Sequence, residues 1–472
     1  MNYLSPEDLK LKTQNSKLKI FSLLVVSLLC WISLAGPAWA FCGFYVAKAD
    51  TSLYNRASQV AIAREGDRTV LTMANDYEGE VSDFAMVVPV PVVLQEDQVK
   101  VADPAILDRL DAFSAPRLVE YFDENPCAPR PTTRYRLGAA VPESVDAESS
   151  AVRDQALGVT VESSFSVGEY DILILSARES DGLETWLREN NYRIPNGANE
   201  LLQPYIRQGM KFFVAKVNLE EFDQSGFQNL RPLQMSFESP RFMLPIRLGM
   251  MNAEAEQDLV VYLLSSTGRT ELTNYRTVNI PSDANIPLFV KDEFNDFYTD
   301  MFQHSYEREG KNVAFLEYAW NMGNCDPCSA DPLTPEELNQ AGVAWVRPGE
   351  WPSVFITRLH VRYTRDKFPE DLMFQTTGNQ QPFQGRYVLT HPYNGPADCP
   401  AGQDYRRQLP QRFEQEAQTL ARLTGWDINE IRRKLPTLER LRREPSMPRS
   451  GAEQGGPWWQ SLILSLRMLS SR

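Results

Sequence analysis

Two cysteines, Cys325 and Cys328, have the two-residue spacing of thiol–disulfide exchange motifs. In such motifs a helix amino terminus lowers the pKa of the first cysteine, which makes its thiolate available for exchange. Here the next predicted helix begins six residues after Cys328, and Asp326 would oppose a thiolate. We therefore favour a structural disulfide for this pair, with a redox-active pair and a metal site as the alternatives.

A metal site would need ligands beyond these two cysteines. The candidates are His391 and Cys399, about sixty residues away, and such a separation is not a recognised zinc spacing. Only three histidines occur in the chain, which excludes a histidine-rich cluster. No nucleophile elbow, phosphate loop, dinucleotide fingerprint or zinc-protease helix is present. We predict no catalytic residue, no metal and no cofactor.

A second candidate site lies on a strand predicted at residues 355–363. Side chains alternate between the two faces of a strand, so Arg358, His360 and Arg362 share one face. Three potential cations together in an acidic protein predict an anion-binding face for a carboxylate or phosphate. The alternative is a solvated face that balances nearby acidic side chains.

Five cysteines follow residue 40, and their number bears on the compartment. Outside the cytoplasm cysteines usually pair, and an odd count leaves one free or bonded to another chain. We predict a bridge between Cys42 and Cys127 and a second bridge drawn from the other three, among which the sequence does not choose. The five are Cys42, Cys127, Cys325, Cys328 and Cys399.

Residues 1–40 have the organisation of a secretory signal peptide. Four lysines precede the uncharged run Ile20–Leu34, and Ala38 and Ala40 form a small-x-small cleavage site. The run is shorter than the roughly 20 residues that span a bilayer comfortably, and Pro37 would break a helix there. We predict cleavage between Ala40 and Phe41 and an extracytoplasmic protein, periplasmic or secreted; an uncleaved amino-terminal anchor is the alternative.

Charge is distributed unevenly along the chain. Without residues 1–40, which hold four lysines and two acids, 44 basic and 60 acidic side chains remain. Such a chain repels nucleic acid, because binding requires Lys and Arg to neutralise phosphates. Residues 401–472 nevertheless carry 13 basic against 8 acidic side chains. This basic tail either folds back onto the acidic body or meets an anionic surface.

Short β-branched and aromatic runs alternate with turn residues and with helical patterns. They indicate an α+β fold with a mixed, mostly antiparallel sheet, flanking helices and a C-terminal helical tail. The alternation within Thr69–Met73 indicates a half-exposed strand. The predicted strands are Gln59–Ala63, Thr69–Ala74, Phe84–Val90, Gly158–Val161, Tyr170–Leu175, Lys211–Val217 and Leu259–Leu264, and the predicted helices are Pro104–Phe113, Gly182–Asn190 and Glu200–Gln208.

The chain divides into a signal peptide at 1–40, a body at 41–400 and a tail at 401–472. The body can be read as two lobes with a break near 295–330. Within it, Thr334, Pro335 and Glu337 form a capping box that predicts a helix, with Gly342 as its stop. The last 16 residues form an amphipathic segment that predicts either docking on the body or peripheral membrane contact.

Nine segments of the chain form a distinctive set: Phe41–Val46, Ala74–Tyr77, Val87–Pro91, Ser114–Arg117, Gly168–Asp171, Gln208–Met210, Leu244–Gly249, Cys325–Cys328 and Thr357–His360. Together they resemble an uncharacterised bacterial family of exported proteins, domain of unknown function 2330. The resemblance covers most of residues 41–400 and implies an exported protein of unassigned activity.

Three functional hypotheses follow. The first is a disulfide-stabilised binding or structural module of the cell envelope, whose partner is an envelope protein or a ligand. The second is a thiol–disulfide oxidoreductase that uses Cys325 and Cys328. The third is a hydrolase with an unrecognised site that includes the face of Arg358, His360 and Arg362.

Overall fold

The computed structural model describes residues 44–47, 54–55, 58–74, 77–78, 84–128, 159–178, 180–189, 198–225, 230–251, 256–324, 330–347 and 353–436. The signal peptide, its cleavage site, Cys42, the pair Cys325 and Cys328, and residues 437–472 lie outside these ranges. Within them, no helix is both long enough and apolar enough to cross a bilayer.

The largest sheet has nine strands. The strands of all sheets are numbered together, in chain order. Two of its strand pairs, β14 (Gln257–Ser265) with β3 (Ser58–Glu65) and β16 (Arg276–Asn279) with β18 (Val313–Asn321), are parallel, and the rest are antiparallel. The short strand β21 (Phe383–Gln384) pairs with β18. In spatial order the other eight are β16 (Arg276–Asn279), β18 (Val313–Asn321), β19 (Phe355–Tyr363), β14 (Gln257–Ser265), β3 (Ser58–Glu65), β4 (Arg68–Ala74), β12 (Leu233–Glu238) and β7 (Val99–Val101).

A five-stranded antiparallel sheet packs against one face of the nine-stranded sheet. Both sheets contribute to the same apolar core: Val60, Leu71 and Leu359 come from the larger sheet, and Ile172 and Phe213 from the smaller one. This shared core holds the two sheets face to face. The order is β1 (Phe44–Ala47), β6 (Phe84–Val90), β11 (Lys211–Val217), β10 (Tyr170–Ala177) and β9 (Val159–Val167).

Three smaller sheets complete the β-structure of the described residues. The first contains β13 (Met243–Leu244), β20 (Leu372–Thr376) and β15 (Thr270–Leu272). The second is parallel and contains β17 (Ala284–Asn285), β22 (Arg386–His391) and β8 (Arg117–Phe122). The third is the ribbon of β2 (Tyr54–Asn55) and β5 (Tyr77–Glu78).

Helices cover the outer faces of both large sheets, which gives four layers. Helices α2 (Ser180–Glu189) and α3 (Ala198–Arg207) cover the five-stranded sheet. Helices α1 (Ala105–Ser114), α5 (Phe294–Arg308), α6 (Pro335–Gln340) and α7 (Pro400–Thr424) cover the nine-stranded one. The fold is therefore α+β with mixed, mostly antiparallel sheets, flanking helices and a C-terminal helix, as predicted. The helices are α1 (Ala105–Ser114), α2 (Ser180–Glu189), α3 (Ala198–Arg207), α4 (Leu219–Ser225), α5 (Phe294–Arg308), α6 (Pro335–Gln340), α7 (Pro400–Thr424) and α8 (Ile428–Lys434).

Every strand and helix for which the sequence analysis gives a first and a last residue overlaps an observed element of the same type. The half-exposed character predicted for Thr69–Met73 is wrong, because all five of these residues are buried. This strand lies inside the nine-stranded sheet, with the second sheet on one face and α1 and α6 on the other. The polar side chain of Thr72 is satisfied there by Gln234 Nε2, which donates to its hydroxyl at 2.7 Å.

The capping box predicted at Thr334 is confirmed at the start of α6. The Thr334 hydroxyl accepts from Glu337 N at 3.2 Å, and the Glu337 carboxylate accepts from Thr334 N at 2.7 Å. Gly342 follows the helix with a φ of 93°, and a Cβ there would lie 2.4 Å from Val70. Glycine is therefore required for both the backbone angle and the close approach to β4.

The described part of the tail folds back onto the body. Leu420 and Phe413 of α7 are buried, and Leu420 shares an apolar cluster with Met301 of α5. Among the described residues, ion pairs that join tail and body include Arg412 with Asp123 at 2.6 Å and Lys434 with Glu293 at 2.7 Å. The break predicted near 295–330 falls on α5 and β18, and the division of the body into two lobes stays a prediction.

Candidate functional site

A row of charged side chains crosses the outer face of the nine-stranded sheet, on the neighbouring strands β14, β19 and β18. We call this row the charged seam. It runs between the apolar cluster that packs α1 and α6 on the sheet and the cluster that packs α5 and α7 there. Its members are Asp111 of α1, Asp258 of β14, Glu317 of β18, and Arg358, His360 and Arg362 of β19.

Glu317 is the centre of the seam, and only 1% of its surface is exposed. Its carboxylate accepts from Arg358 Nε at 2.6 Å and from the Tyr298 hydroxyl, and it lies 2.8 Å from His360 Nδ1. The pairing register of β18 with β19 shifts at Glu317, which is the extra residue of a β-bulge. Bulges re-aim side chains, and after this one Tyr318 packs on the same outer face as Glu317.

A second carboxylate, Asp258, joins His360 to Arg362. Asp258 and Arg362 are cross-strand neighbours, and the guanidinium donates to both carboxylate oxygens, at 2.8 and 2.6 Å. His360 Nε2 lies 3.1 Å from the same carboxylate. The imidazole of His360 therefore bridges two carboxylates, with one ring nitrogen on Glu317 and the other on Asp258.

The third carboxylate, Asp111, brings helix α1 into the seam. It accepts from Arg358 Nη1 at 2.5 Å and from the Tyr262 hydroxyl at 2.9 Å. Arg358 thus pairs with carboxylates of two elements that are remote in sequence, α1 and β18. The arginine fixes the position of α1 on the sheet.

Helix α5 covers the other end of the seam. The ring of Phe302 stacks on His360 with 3.9 Å between ring centres, and the guanidinium of Arg362 lies 4.9 Å from the centre of the same ring. Gln303 accepts from Arg362 Nη1 at 2.5 Å. A cation over an aromatic face is attracted to it, so the helix both shields the charges and adds contacts to them.

The seam holds three cationic and three anionic groups when His360 is protonated. Burial opposes the imidazolium of His360, but Glu317 and Asp258 outweigh it and raise its pKa. Burial likewise opposes ionisation of Glu317, yet Arg358 and His360 lower its pKa to about 2. His360 and Arg362 have the same effect on Asp258, whose pKa is also about 2. The charges therefore balance within the seam.

Arg358, His360 and Arg362 lie on one face of β19, as the alternation of side chains along a strand predicts. Each is largely buried and already paired with a carboxylate of the chain itself. An external anion would have to displace one of these carboxylates, so the anion-binding role stays a prediction. The sequence interpretation did not identify Asp111, Asp258 or Glu317 as partners.

The pKa shifts predict how stability depends on pH. In the unfolded chain His360 releases its proton near pH 6.5, whereas in the folded protein its pKa is raised. Its contribution is therefore complete below pH 6.5 and is lost as the pH rises through the folded pKa. Asp258 and Glu317 act in the opposite sense: their contribution is complete above their unfolded pKa values of 3.8 and 4.5 and is lost toward pH 2.

In the wild type, the free energy of unfolding should fall as the pH rises from 6.5 through the raised pKa of His360. We expect this fall to be absent from the His360→Gln variant. The measurement is the free energy of unfolding between about pH 5 and pH 9 for the wild type and the variant. His304→Gln is the control, because His304 lies on α5 outside the seam. Identical pH slopes for the wild type and His360→Gln would contradict the protonated bridge.

A disulfide joins Cys127 to Cys399, with the two Cα atoms 6.0 Å apart. The predicted bridge between Cys42 and Cys127 is therefore wrong, and Cys399 is not part of a bridge with Cys325 or Cys328. The cause is the parallel pairing of β8 with β22, in which Phe122 lies opposite His391. Parallel strands end at the same edge, so the segments that follow them carry both cysteines to one place.

The residues considered for a metal site are engaged elsewhere. Cys399 is in the disulfide, and its sulfur accepts from Gly402 N at 3.2 Å at the start of α7. His391 lies 2.7 Å from Glu120, and its ring stacks on Phe122. Across the ranges that the structure describes, no group of three or more His, Cys, Asp or Glu side chains is arranged to hold a metal ion.

A family model described as an uncharacterized protein conserved in bacteria, DUF2330, matches residues 36–375. The chain belongs to the DUF2330 family. No curated protein and no solved structure matches the chain. The matched range includes all six residues of the charged seam, from Asp111 to Arg362, and one end of the disulfide, Cys127.

The other end of the disulfide lies outside the matched range. Cys399 and helices α7 and α8 follow residue 375, so the DUF2330 match does not include the described part of the tail. The disulfide therefore bonds a residue of the DUF2330 region to the helical segment that follows it. This covalent link makes the helical tail part of one structural unit with the DUF2330 region.

Proposed function

We propose that this DUF2330 protein is an exported, disulfide-stabilised binding or structural module of the bacterial cell envelope. The observation that carries the proposal is the disulfide between Cys127 and Cys399, which joins residues 272 positions apart. Disulfides persist in oxidising compartments and are rare in the cytoplasm. The order of charges, apolar run and small residues in residues 1–40 supports the same compartment.

The charged seam supports a structural role for the face that carries it. A catalytic carboxylate or histidine needs a vacant position beside it for a substrate. In the seam, the carboxylates of Glu317 and Asp258 and the imidazole of His360 contact one another and their arginine partners, beneath Phe302. The seam therefore holds α1 and α5 on the sheet.

The two enzymatic hypotheses have less support. The oxidoreductase hypothesis depends on Cys325 and Cys328, which lie outside the described residues, so it rests on their spacing alone. The hydrolase hypothesis depends on the face of Arg358, His360 and Arg362, whose side chains are paired within the seam.

Export is tested by expressing the full chain with a C-terminal epitope in a bacterium and separating periplasm, membrane and cytoplasm. We expect the wild type as a shortened band outside the cytoplasm. Replacing both Ala38 and Ala40 by Phe removes the small-x-small site and should leave an unshortened band in the membrane fraction. A full-length wild type found only in the cytoplasm would refute the proposal.

A further inference from the structure

A cleft of about 240 Å³ opens between α3, the 3-10 helix Arg247–Met251 and the turn that follows β19. Its walls combine apolar surface with a small number of charges. Such a combination is typical of sites that bind small molecules, since apolar walls supply burial and a few polar groups fix orientation. The residues used below are Glu200, Leu201, Arg247, Met250, Arg365 and Phe368.

Arg247 is held in place from behind the cleft. Its Nε lies 3.3 Å from the carboxylate of Asp371, whose side chain is only 3% exposed. Asp371 also accepts from the Tyr205 hydroxyl at 2.6 Å and from the backbone of Ile246 at 2.9 Å. The guanidinium lies 5.7 Å from the centre of the Tyr205 ring. These contacts fix the orientation of the arginine before any ligand arrives.

The terminal nitrogens of Arg247 remain available as donors. In the part of the chain that the structure describes, the guanidinium contacts Asp371 through Nε and not through its terminal nitrogens, and the side chain is 18% exposed. A guanidinium presents two parallel N–H groups that match the two oxygens of a carboxylate. At the rim, Arg365 pairs with Glu200 at 3.0 Å, and both of these side chains are exposed. The lining thus contains two arginines, Arg247 and Arg365, with the carboxylate of Glu200 beside Arg365 and that of Asp371 behind Arg247.

We infer that this cleft binds a small organic carboxylate with an apolar body. The carboxylate lies on the terminal nitrogens of Arg247, and the apolar part contacts Leu201, Met250 and Phe368. The inference deepens the proposed function, because it supplies a ligand class for an exported binding module. The apolar walls favour an organic anion over inorganic phosphate, which would leave them uncovered.

The test is calorimetric titration of the purified protein, in the form in which it is isolated, with phenylacetate. Phenylacetamide and inorganic phosphate are the comparison ligands. We expect phenylacetate to bind at least about tenfold more tightly than either one. The amide has the same apolar body without the charge, and phosphate has charge without the apolar body, so the two comparisons separate the two contributions.

Three variants locate the site. Arg247→Met should weaken phenylacetate binding at least about tenfold. Arg276→Met is the matched control, because Arg276 is 59% exposed, pairs with Glu309 and is not among the residues that line the cleft. Leu201→Trp fills the cleft while leaving Arg247 unchanged, and it should also abolish binding. If circular dichroism shows that Arg247→Met does not fold, phenylacetate binding by Leu201→Trp decides whether the cleft is the site.

The inference is overturned if phenylacetate does not bind, if it binds no better than the amide or phosphate, or if Arg276→Met weakens binding as much as Leu201→Trp. Preferential binding of phosphate would overturn the assignment of an organic carboxylate. The titration uses the purified chain and does not depend on its compartment. A failed titration therefore leaves the export experiment unaffected, and a failed export experiment leaves the titration unaffected.

Discussion

Replacing Glu317 by Gln is expected to lower the free energy of unfolding by about 3–5 kcal/mol, the usual cost of removing one partner from a buried ion pair. The substitution leaves Arg358 Nε and His360 without the charged oxygens they share, and Glu317 is 1% exposed, so water does not replace the lost partner. Urea denaturation at neutral pH, monitored by circular dichroism, measures the loss.

The matched control is Glu309→Gln, which removes a carboxylate from an exposed ion pair with Arg276 at 2.7 Å. Exposed pairs contribute about 0–1 kcal/mol, so this variant should remain close to the wild type. Replacing Glu317 by Leu together with Arg358 by Met removes both charges and should cost less than Glu317→Gln alone. A loss below about 1 kcal/mol for Glu317→Gln would contradict the buried seam.

Replacing Cys127 and Cys399 together by Ser is expected to cost about 2–5 kcal/mol. The bridge spans 272 residues, and a cross-link over so long a segment restricts the unfolded chain strongly, which the chain-entropy model places at roughly 5 kcal/mol. The measurement is again urea denaturation, now with and without dithiothreitol. The reductant should destabilise the wild type by about as much as the double substitution does.

The double variant is its own control in this experiment, because a chain without the bridge should respond far less to dithiothreitol. Its α7 should stay docked, since Leu420 remains buried and the pair of Arg412 with Asp123 remains in place. If the reductant left the stability of the wild type unchanged, the bridge would not contribute to folding.

Local patterns in the sequence predict local structure well in this chain. The capping box at Thr334 gives the start of α6, and the alternation of residues 355–363 correctly places Arg358, His360 and Arg362 on one face. Both features depend only on backbone geometry within one element. The partners of those three side chains come from other elements, and no local pattern identifies them.

Glu317 shows most clearly that local sequence patterns do not identify the partners of a buried side chain. It is a single acid within the apolar run of β18, which signals a buried partner without saying which one. Strict alternation would place Glu317 and Tyr318 on opposite faces, but the bulge interrupts it. A bulge is one extra residue relative to a partner strand, so it becomes visible only when the pairing with β19 is known.

The disulfide between Cys127 and Cys399 could not be predicted for the same reason: it depends on a contact between strands that are far apart in the sequence. Cysteine counts do not determine connectivity, and Cys127 and Cys399 are far apart in sequence. Their proximity follows from the parallel pairing of β8 with β22, a long-range contact that places the ends of two remote strands side by side. The carbonyl of His391 accepts from Asp123 N at 2.9 Å, which extends that pairing toward the bridge.

We propose that this protein is exported and that a disulfide bonds its DUF2330 region to its helical tail. One measurement tests it: peptide mass mapping, without reduction, of the protein isolated from the cell envelope after free thiols are alkylated. We predict a first peptide that begins at Phe41 and a cross-linked peptide that contains Cys127 and Cys399. A chain that retains Met1, with both of these cysteines separately alkylated, would contradict the claim.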